Sequence, residues 1–286
     1  MTSPARSQVQ YFEHEGHRLA YTDYGRGGTP FILLHGQLLS QYMQEPLALE
    51  LSGRGHRVVT LDLLGHGASD RPADMWRYSM TRFAEQVLGL MDHLNLRRAV
   101  VGGTSLGANV SLELGVLAPE RVSALVIEMP VLETGVYGAV MAFTPLLSAL
   151  LYARPLFDIG GFIARLVPRW AVPFLGNVLL DTMRQDHVAS PAILQGLFLG
   201  RIAPDRELRQ QMRMPVLVIG HHHDPIHPYA DAEMLAGELP NGRLVEASSI
   251  FELRLHPERL SEEIGRFLDQ VPVPAARRAR SPRRVA

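Results

Sequence analysis

The ten residues Val100-Val101-Gly102-Gly103-Thr104-Ser105-Leu106-Gly107-Ala108-Asn109 constrain the fold of this chain more than any other stretch. A short β-branched run enters them, and a helix-patterned segment from Val110 to Leu117 leaves them. Between the two lies G-x-S-x-G, centred on Ser105. A strand that passes straight into a helix needs small neighbours at the turn, because the turn is tight and its backbone strained. Gly103 and Gly107 are those neighbours. The strain lifts the Ser105 hydroxyl clear of the backbone, and the helix aims its first N–H groups at any oxyanion forming there. The same five residues also suit a plain strand-to-helix turn whose serine caps the helix, so the rest of the chain has to decide between the two.

Short, continuous apolar runs recur along the sequence at Phe31 to Leu34, Arg57 to Leu61, Ala99 to Val101, Val122 to Ile127, Val216 to Ile219 and Leu244 to Glu246. Runs of this kind suit strands buried on both faces of a parallel sheet. Val9 to Glu13 and Arg18 to Tyr24 read as an antiparallel pair around Gly16, and helix-patterned segments lie at Met80 to Leu94, Ser105 to Ala118 and Ala230 to Leu239. This alternation predicts an α/β fold, a mostly parallel β-sheet flanked by helices. Between Pro130 and Pro215 the rhythm stops. Apolar stretches at Val136 to Tyr152, Phe157 to Val167, Ala171 to Leu180 and Ile193 to Leu199 are broken by proline and glycine. They predict a helical cap over the open end of the sheet, with residues 8–130 and 214–270 as the core and 131–213 as the cap. None is long and uninterrupted enough to read as a transmembrane span, although Val136 to Tyr152 comes near the lower limit. The apolar character of the cap points to an apolar substrate rather than a polar one.

The chain has 286 residues, enough for one large domain with an insertion. Its formal net charge of −1 gives no global electrostatic reason to expect nucleic acid as a partner. There is no cysteine, which excludes disulfides, thiolate catalysis and cysteine-ligated metal sites. There is no lysine either, which excludes Schiff-base chemistry and a Walker lysine. The first residues are polar and lack the apolar core of a secretory signal, so a cytoplasmic location is expected. Residues 271–286 carry three prolines and five arginines and read as a flexible basic tail.

Four segments in order resemble the α/β-hydrolase fold superfamily, in the manner of a lidded serine hydrolase. They are Leu33-Leu34-His35-Gly36-Gln37, Asp62-Leu63-Leu64-Gly65-His66-Gly67-Ala68-Ser69, the Gly103 to Gly107 turn, and Asp224-Pro225-Ile226-His227-Pro228. The resemblance implies that Ser105 is the nucleophile, and that the oxyanion is held by the backbone N–H groups of Leu106 and Gln37. It implies that His35 organises its loop, and that Asp62 satisfies backbone donors of the Gly65 to Gly67 turn. The chain order serine, acid, histidine implies Asp224 as the acid, with Glu128, at the end of the preceding strand, as the alternative.

The histidine departs from the family pattern. Pro257 corresponds to the proline that opens the final helix, and the position expected to hold histidine is Ile250. His256 is the candidate base by chain order. His221, His222, His223 or His227 are alternatives, and a broken triad is the third. The cluster His221-His222-His223-Asp224 with His227 contains zinc- or iron-type ligands. Neighbouring histidines on one loop point apart, however, so the expectation is no metal and no cofactor. The function implied is hydrolysis of a small, largely apolar ester or related acyl substrate through an acyl-enzyme. The alternatives are a ligand-binding member without turnover and a non-hydrolytic relative. The sequence leaves the oligomeric state undetermined.

Overall fold

A computed structural model describes residues 8–185, 188–224 and 226–272. From residue 273 on, the basic tail expected at 271–286 lies outside the described residues. In chain order the elements are β1 (Gln10–His14), β2 (His17–Tyr24), β3 (Phe31–Leu34), α1 (Glu45–Gly53), β4 (Val58–Leu61), α2 (Met80–His93), β5 (Ala99–Thr104), α3 (Leu106–Leu117) and β6 (Val122–Glu128). Then follow α4 (Gly135–Tyr152), α5 (Arg154–Leu166), α6 (Phe174–Arg184), α7 (Ala189–Leu199), α8 (Arg206–Arg209), β7 (Val216–Gly220), α9 (Tyr229–Glu238), β8 (Gly242–Glu246), α10 (Glu252–Leu255) and α11 (Glu258–Gln270).

The eight strands form one sheet in the order β1-β2-β4-β3-β5-β6-β7-β8. β1 and β2 make the antiparallel edge, joined at Glu15 and Gly16, whose φ values of 47° and 77° fit the twist of a tight hairpin. β2 meets β4 antiparallel, and the remaining pairs are parallel. Alternate residues of the central strands enter two separate cores, as the period of two requires. Ile32, Leu34, Val59, Val101 and Ile127 pack with α2 and α3 on one face. Phe31, Leu33, Val58, Val100 and Val126 pack with α1 and α11 on the other. The runs that became β3 to β7 are therefore buried on both sides, which is why they carry no polar alternation. The run from Leu244 to Glu246 departs from that expectation: it forms β8 at the edge of the sheet, where no residue is fully buried.

The helices α4 to α7 enter between β6 and β7. Their entry is tied to the core by one buried carboxylate. Asp231 of α9 accepts N–H groups from Leu132 at 2.8 Å, Thr134 at 3.2 Å and Gly135 at 2.8 Å. These are donors at the start of α4 that the helix cannot satisfy itself. Their exit is tied by buried Arg209, which donates to Glu133 at 2.7 Å and to Glu238 at 2.9 Å. α4 packs on α7, and α5 packs on α6.

The close approach of β3 to the β5–α3 turn leaves no room for a side chain at either flanking glycine. A Cβ on Gly107 would stand 2.7 Å from both Cβ and the carbonyl oxygen of Leu34, and one on Gly103 would stand 2.5 Å from that oxygen. We expect Gly107→Ala to destabilise the protein by about 1–3 kcal/mol, the usual range for overpacking. Urea denaturation checks this, and an unchanged midpoint would mean that the turn is not packed against Leu34.

Candidate active site

Ser105 stands between β5 and α3 with φ 54° and ψ −109°, a conformation costly for a residue with a side chain. Three backbone hydrogen bonds hold it there. Ser105 N–H donates to the Glu128 carbonyl at 2.9 Å, Gly107 N–H to the His35 carbonyl at 3.1 Å, and Asn109 N–H to the Ser105 carbonyl at 3.0 Å. The neighbouring strands β3 and β6 thus impose the strain from both sides.

The Ser105 hydroxyl lies 2.9 Å from Nε2 of His227. Nδ1 of the same ring lies 2.8 Å from Oδ2 of Asp224. An ionised carboxylate only accepts, so Nδ1 carries the proton and Nε2 presents its lone pair to the hydroxyl. Oδ1 of Asp224 accepts the N–H groups of Ile226 at 2.8 Å and His227 at 3.0 Å, an Asx turn that folds the loop back on itself. The acid and the histidine sit three residues apart on the loop after β7, and both side chains are largely buried. Burial alone would raise the Asp224 carboxyl. The hydrogen bond from His227, the attraction of that ring when it is protonated, and the two backbone donors outweigh it and bring the group down from 3.8 to about 2.

This arrangement corrects the expectation for His256. That residue is exposed, at the C-terminal end of α10, where its N–H caps the Glu252 carbonyl at 2.9 Å. The physical reason is the loop after β8, which brings Arg254 toward the serine turn instead of a histidine. Nη2 of Arg254 donates to Thr104 Oγ1 at 2.6 Å and to Glu128 Oε2 at 2.7 Å. Glu128 is thereby held by Arg254 and Thr104 rather than by an imidazole. Of the two acids considered, Asp224 alone hydrogen-bonds the histidine that reaches Ser105. The other loop histidines diverge. His221 is buried, and burial pushes its basicity down; its Nε2 lies 3.9 Å from Asp224 Oδ2. His222 stacks on Tyr229, with ring centroids 4.0 Å apart. The signal for His227 was present in the sequence as an Asp-x-x-His spacing on one loop, a spacing that an Asx turn closes.

His35 is fully buried, and burial lowers its basicity. Its Nδ1 lies 2.8 Å from the Gly36 carbonyl, and its Nε2 accepts the Leu63 N–H at 3.1 Å, so the neutral ring staples the loop after β3 to the loop after β4. Asp62 accepts the N–H of Gln41 at 2.6 Å and that of Ala68 at 2.9 Å. It therefore ties the same two loops from the other side.

Beside Ser105 a narrow cavity of about 60 Å³ is lined by Gln37, Leu106 and Asn109, with Met80, Val131, Phe143, Leu194, Phe198 and Ile202 among the apolar walls. Asn109 is committed to structure. It donates to the carbonyls of Val131 at 2.7 Å and Ile202 at 2.8 Å, and accepts the Val131 N–H at 3.1 Å. The two polar atoms of the Gln37 side chain are buried and have no partner among the described residues. Among the described residues that line the cavity, none carries a charged side chain.

Comparison with known proteins agrees with this architecture. The chain is 41% identical over 105 residues to the dihydrolipoyllysine-residue acetyltransferase component of an acetoin cleaving system from Pseudomonas putida, covering 35% of this chain and 26% of that protein. It is 35% identical over 113 residues to a 2-hydroxymuconate semialdehyde hydrolase from Pseudomonas putida, covering 39% of this chain and 40% of that one. The chain thus spans well under half the length of these two curated relatives. The crystal structure of a hydrolase from Pseudomonas aeruginosa superposes with a TM-score of 0.76 at 23% identity, over 92% of this chain and 99% of that one. Residues 29–249 match the family described as the alpha/beta hydrolase fold, and to that family the chain belongs.

Proposed function

We propose that this protein is a serine hydrolase that cleaves a small, largely apolar ester or related acyl substrate through an acyl-enzyme. One observation carries the reading: the unbroken line of hydrogen bonds from Ser105 Oγ through the His227 ring to Asp224. A serine hydroxyl is a weak nucleophile until a base removes its proton. Nε2 of His227 is within hydrogen-bond reach of that proton, and Asp224 fixes the tautomer that leaves Nε2 free to accept it.

In the first half-reaction the Ser105 oxygen forms a bond to the acyl carbon and its proton passes to Nε2. The imidazolium so formed is stabilised by Asp224 and then protonates the leaving alkoxide. In the second half-reaction His227 takes a proton from water, the hydroxide attacks the ester carbon, and Ser105 recovers its proton. The backbone N–H groups of Leu106 and Gln37 are the oxyanion donors in this reading. Leu106 opens α3, where its N–H has no acceptor within the helix, and both residues border the cavity beside Ser105. Removing one such donor typically costs roughly 10²–10³ in rate.

The walls supplied by the inserted helices favour an uncharged acyl group, since a carboxylate there would meet no counter-charge. Gln37 is the exception in the lining. An unpartnered buried amide is costly, and a hydroxyl or carbonyl on the substrate would pair it. In this reading α4 to α7 form the cap that shapes the acyl site and excludes water. The contact of His227 with Ser105 supports turnover over the ligand-binding alternative, which rests on Ile250 at the position expected to hold histidine.

Ser105→Ala and His227→Gln are each expected to lower kcat for p-nitrophenyl ester hydrolysis by at least about 10³, the range seen when one member of such a triad is lost. His256→Ala is expected to keep wild-type turnover. Labelling by a fluorophosphonate, read by intact mass, should fail in the first two variants and succeed in the third. Loss of labelling in His256→Ala with retention in His227→Gln would overturn the assignment.

Asp224 also ties stability to pH. Its folded-state pKa lies below the ordinary value, so its stabilisation is present above pH about 4 and is lost as pH falls toward about 2. Asp224→Asn is expected to unfold at lower denaturant concentration at pH 7. The loss is at most about 2 kcal/mol, reduced by whatever screening solvent provides at the mouth of the loop. The gap to the unmodified protein should close as the pH approaches 2. A gap independent of pH in chemical denaturation would show that the carboxylate is not stabilised by its partners.

A further inference from the structure

Helix α5 is built inside out. Its buried residues are Gly161 and Ala164. Phe157 alone of its large apolar side chains packs toward the core, while Leu156, Ile159, Phe162, Ile163 and Leu166 are between 56% and 70% exposed. Their spacing of three and four residues places them along one stripe of the helix. A helix whose outer face met only water would carry charged residues there, with the large apolar ones turned inward. Aromatic residues flank the stripe: Tyr152 before the helix and Trp170 after it are each 88% exposed. α4 adds Tyr137 and Met141, each 76% exposed. A row of exposed apolar side chains along one helix face marks a docking site.

The charges identify what docks. Arg154 and Arg165 lie toward the two ends of α5, and Asp158 between them faces Arg154 at 3.6 Å. Arg169, beyond the helix, is already held by buried Asp181 at 2.7 Å and by the Tyr42 ring. Apolar face, flanking Trp and Tyr, and basic residues able to extend past the apolar layer are the features of a helix lying in the interfacial zone of an anionic membrane. A second copy of the chain is the competing occupant, and the test below separates the two. α4, at 18 residues, lies across the catalytic cavity and contributes Ala139 and Phe143 to its wall. It therefore belongs to the insertion rather than to a span.

We infer that α5, with the flanking Tyr152 and Trp170, is an interfacial docking surface for anionic phospholipid bilayers. Docking there would set the catalytic cavity next to a reservoir of apolar acyl substrates. The docking itself does not depend on the hydrolase reading, and it is testable in the inactive Ser105→Ala protein.

The test is flotation of the full chain with vesicles of phosphatidylcholine alone or of phosphatidylcholine with phosphatidylglycerol. The expected result is co-flotation with the anionic vesicles, weakened by salt and by omission of phosphatidylglycerol. In a Trp76→Phe background, Trp170 emission should shift to the blue on binding. The double variant Ile159→Ser with Phe162→Ser should lose at least about tenfold in partitioning while its melting temperature and Ser105 labelling are unchanged. Three results would overturn the proposal. One is no flotation with either vesicle. Another is flotation that persists in the double variant, which would shift binding to another part of the chain. The third is a concentration-dependent dimer that the same double variant abolishes, which would make a second copy the occupant.

Discussion

The strained backbone of Ser105 is the constraint on which the rest of this structure depends. A positive φ at a residue with a side chain costs on the order of 1–3 kcal/mol. It persists because strands on both sides hold it. The Glu128 carbonyl of β6 takes the Ser105 N–H, the His35 carbonyl after β3 takes the Gly107 N–H, and Leu34 packs where any side chain on Gly103 or Gly107 would be. The parallel order β3-β5-β6 is therefore what allows the hydroxyl to stand clear of the sheet.

Around that fixed point the loops divide their work in an uncommon way. The loop after β7 carries both Asp224 and His227, so the partner that orients the ring and the ring itself are linked by three residues and one Asx turn. The loop after β8 carries instead a buried arginine. Arg254 meets Thr104, the residue before Ser105, and Glu128, whose carbonyl receives the Ser105 N–H. Gln44 donates to the same Thr104 hydroxyl at 3.0 Å. A buried pair of this kind adds little net stability once its desolvation is counted. Its geometric effect is on the elbow, which it braces from beneath.

The inserted helices face two ways. Inward, Ala139, Phe143, Leu194 and Phe198 close an apolar cavity beside Ser105. Outward, α5 presents side chains that water does not favour. Asp231 and Arg209 pin the two ends of the insertion to the core, and Asp231 lies in α9, directly after the loop of His227. The inserted helices and the loop of His227 therefore share one anchor.

Local sequence determined the elements that depend on short-range patterning. The continuous apolar runs of the inner strands became doubly buried because every side chain on them had to leave water, and G-x-S-x-G became an elbow because only glycine fits beside Leu34. Ser105 and Asp224, the two ends of the hydrogen-bonded line, were singled out for the same reason, each marked by the turn chemistry around it. The histidine between them was not. His256 followed the expected chain order, and His227 was one of several candidates on a histidine-rich loop. Choosing between them required knowing where two loops, more than a hundred residues from Ser105 in the chain, come to rest. The tertiary structure decided that, because the ring that activates a serine is selected by a hydrogen-bond distance and not by its place in the sequence. It also decided which face of α5 meets solvent, since periodicity gives a helix two faces and only packing says which one is left outside.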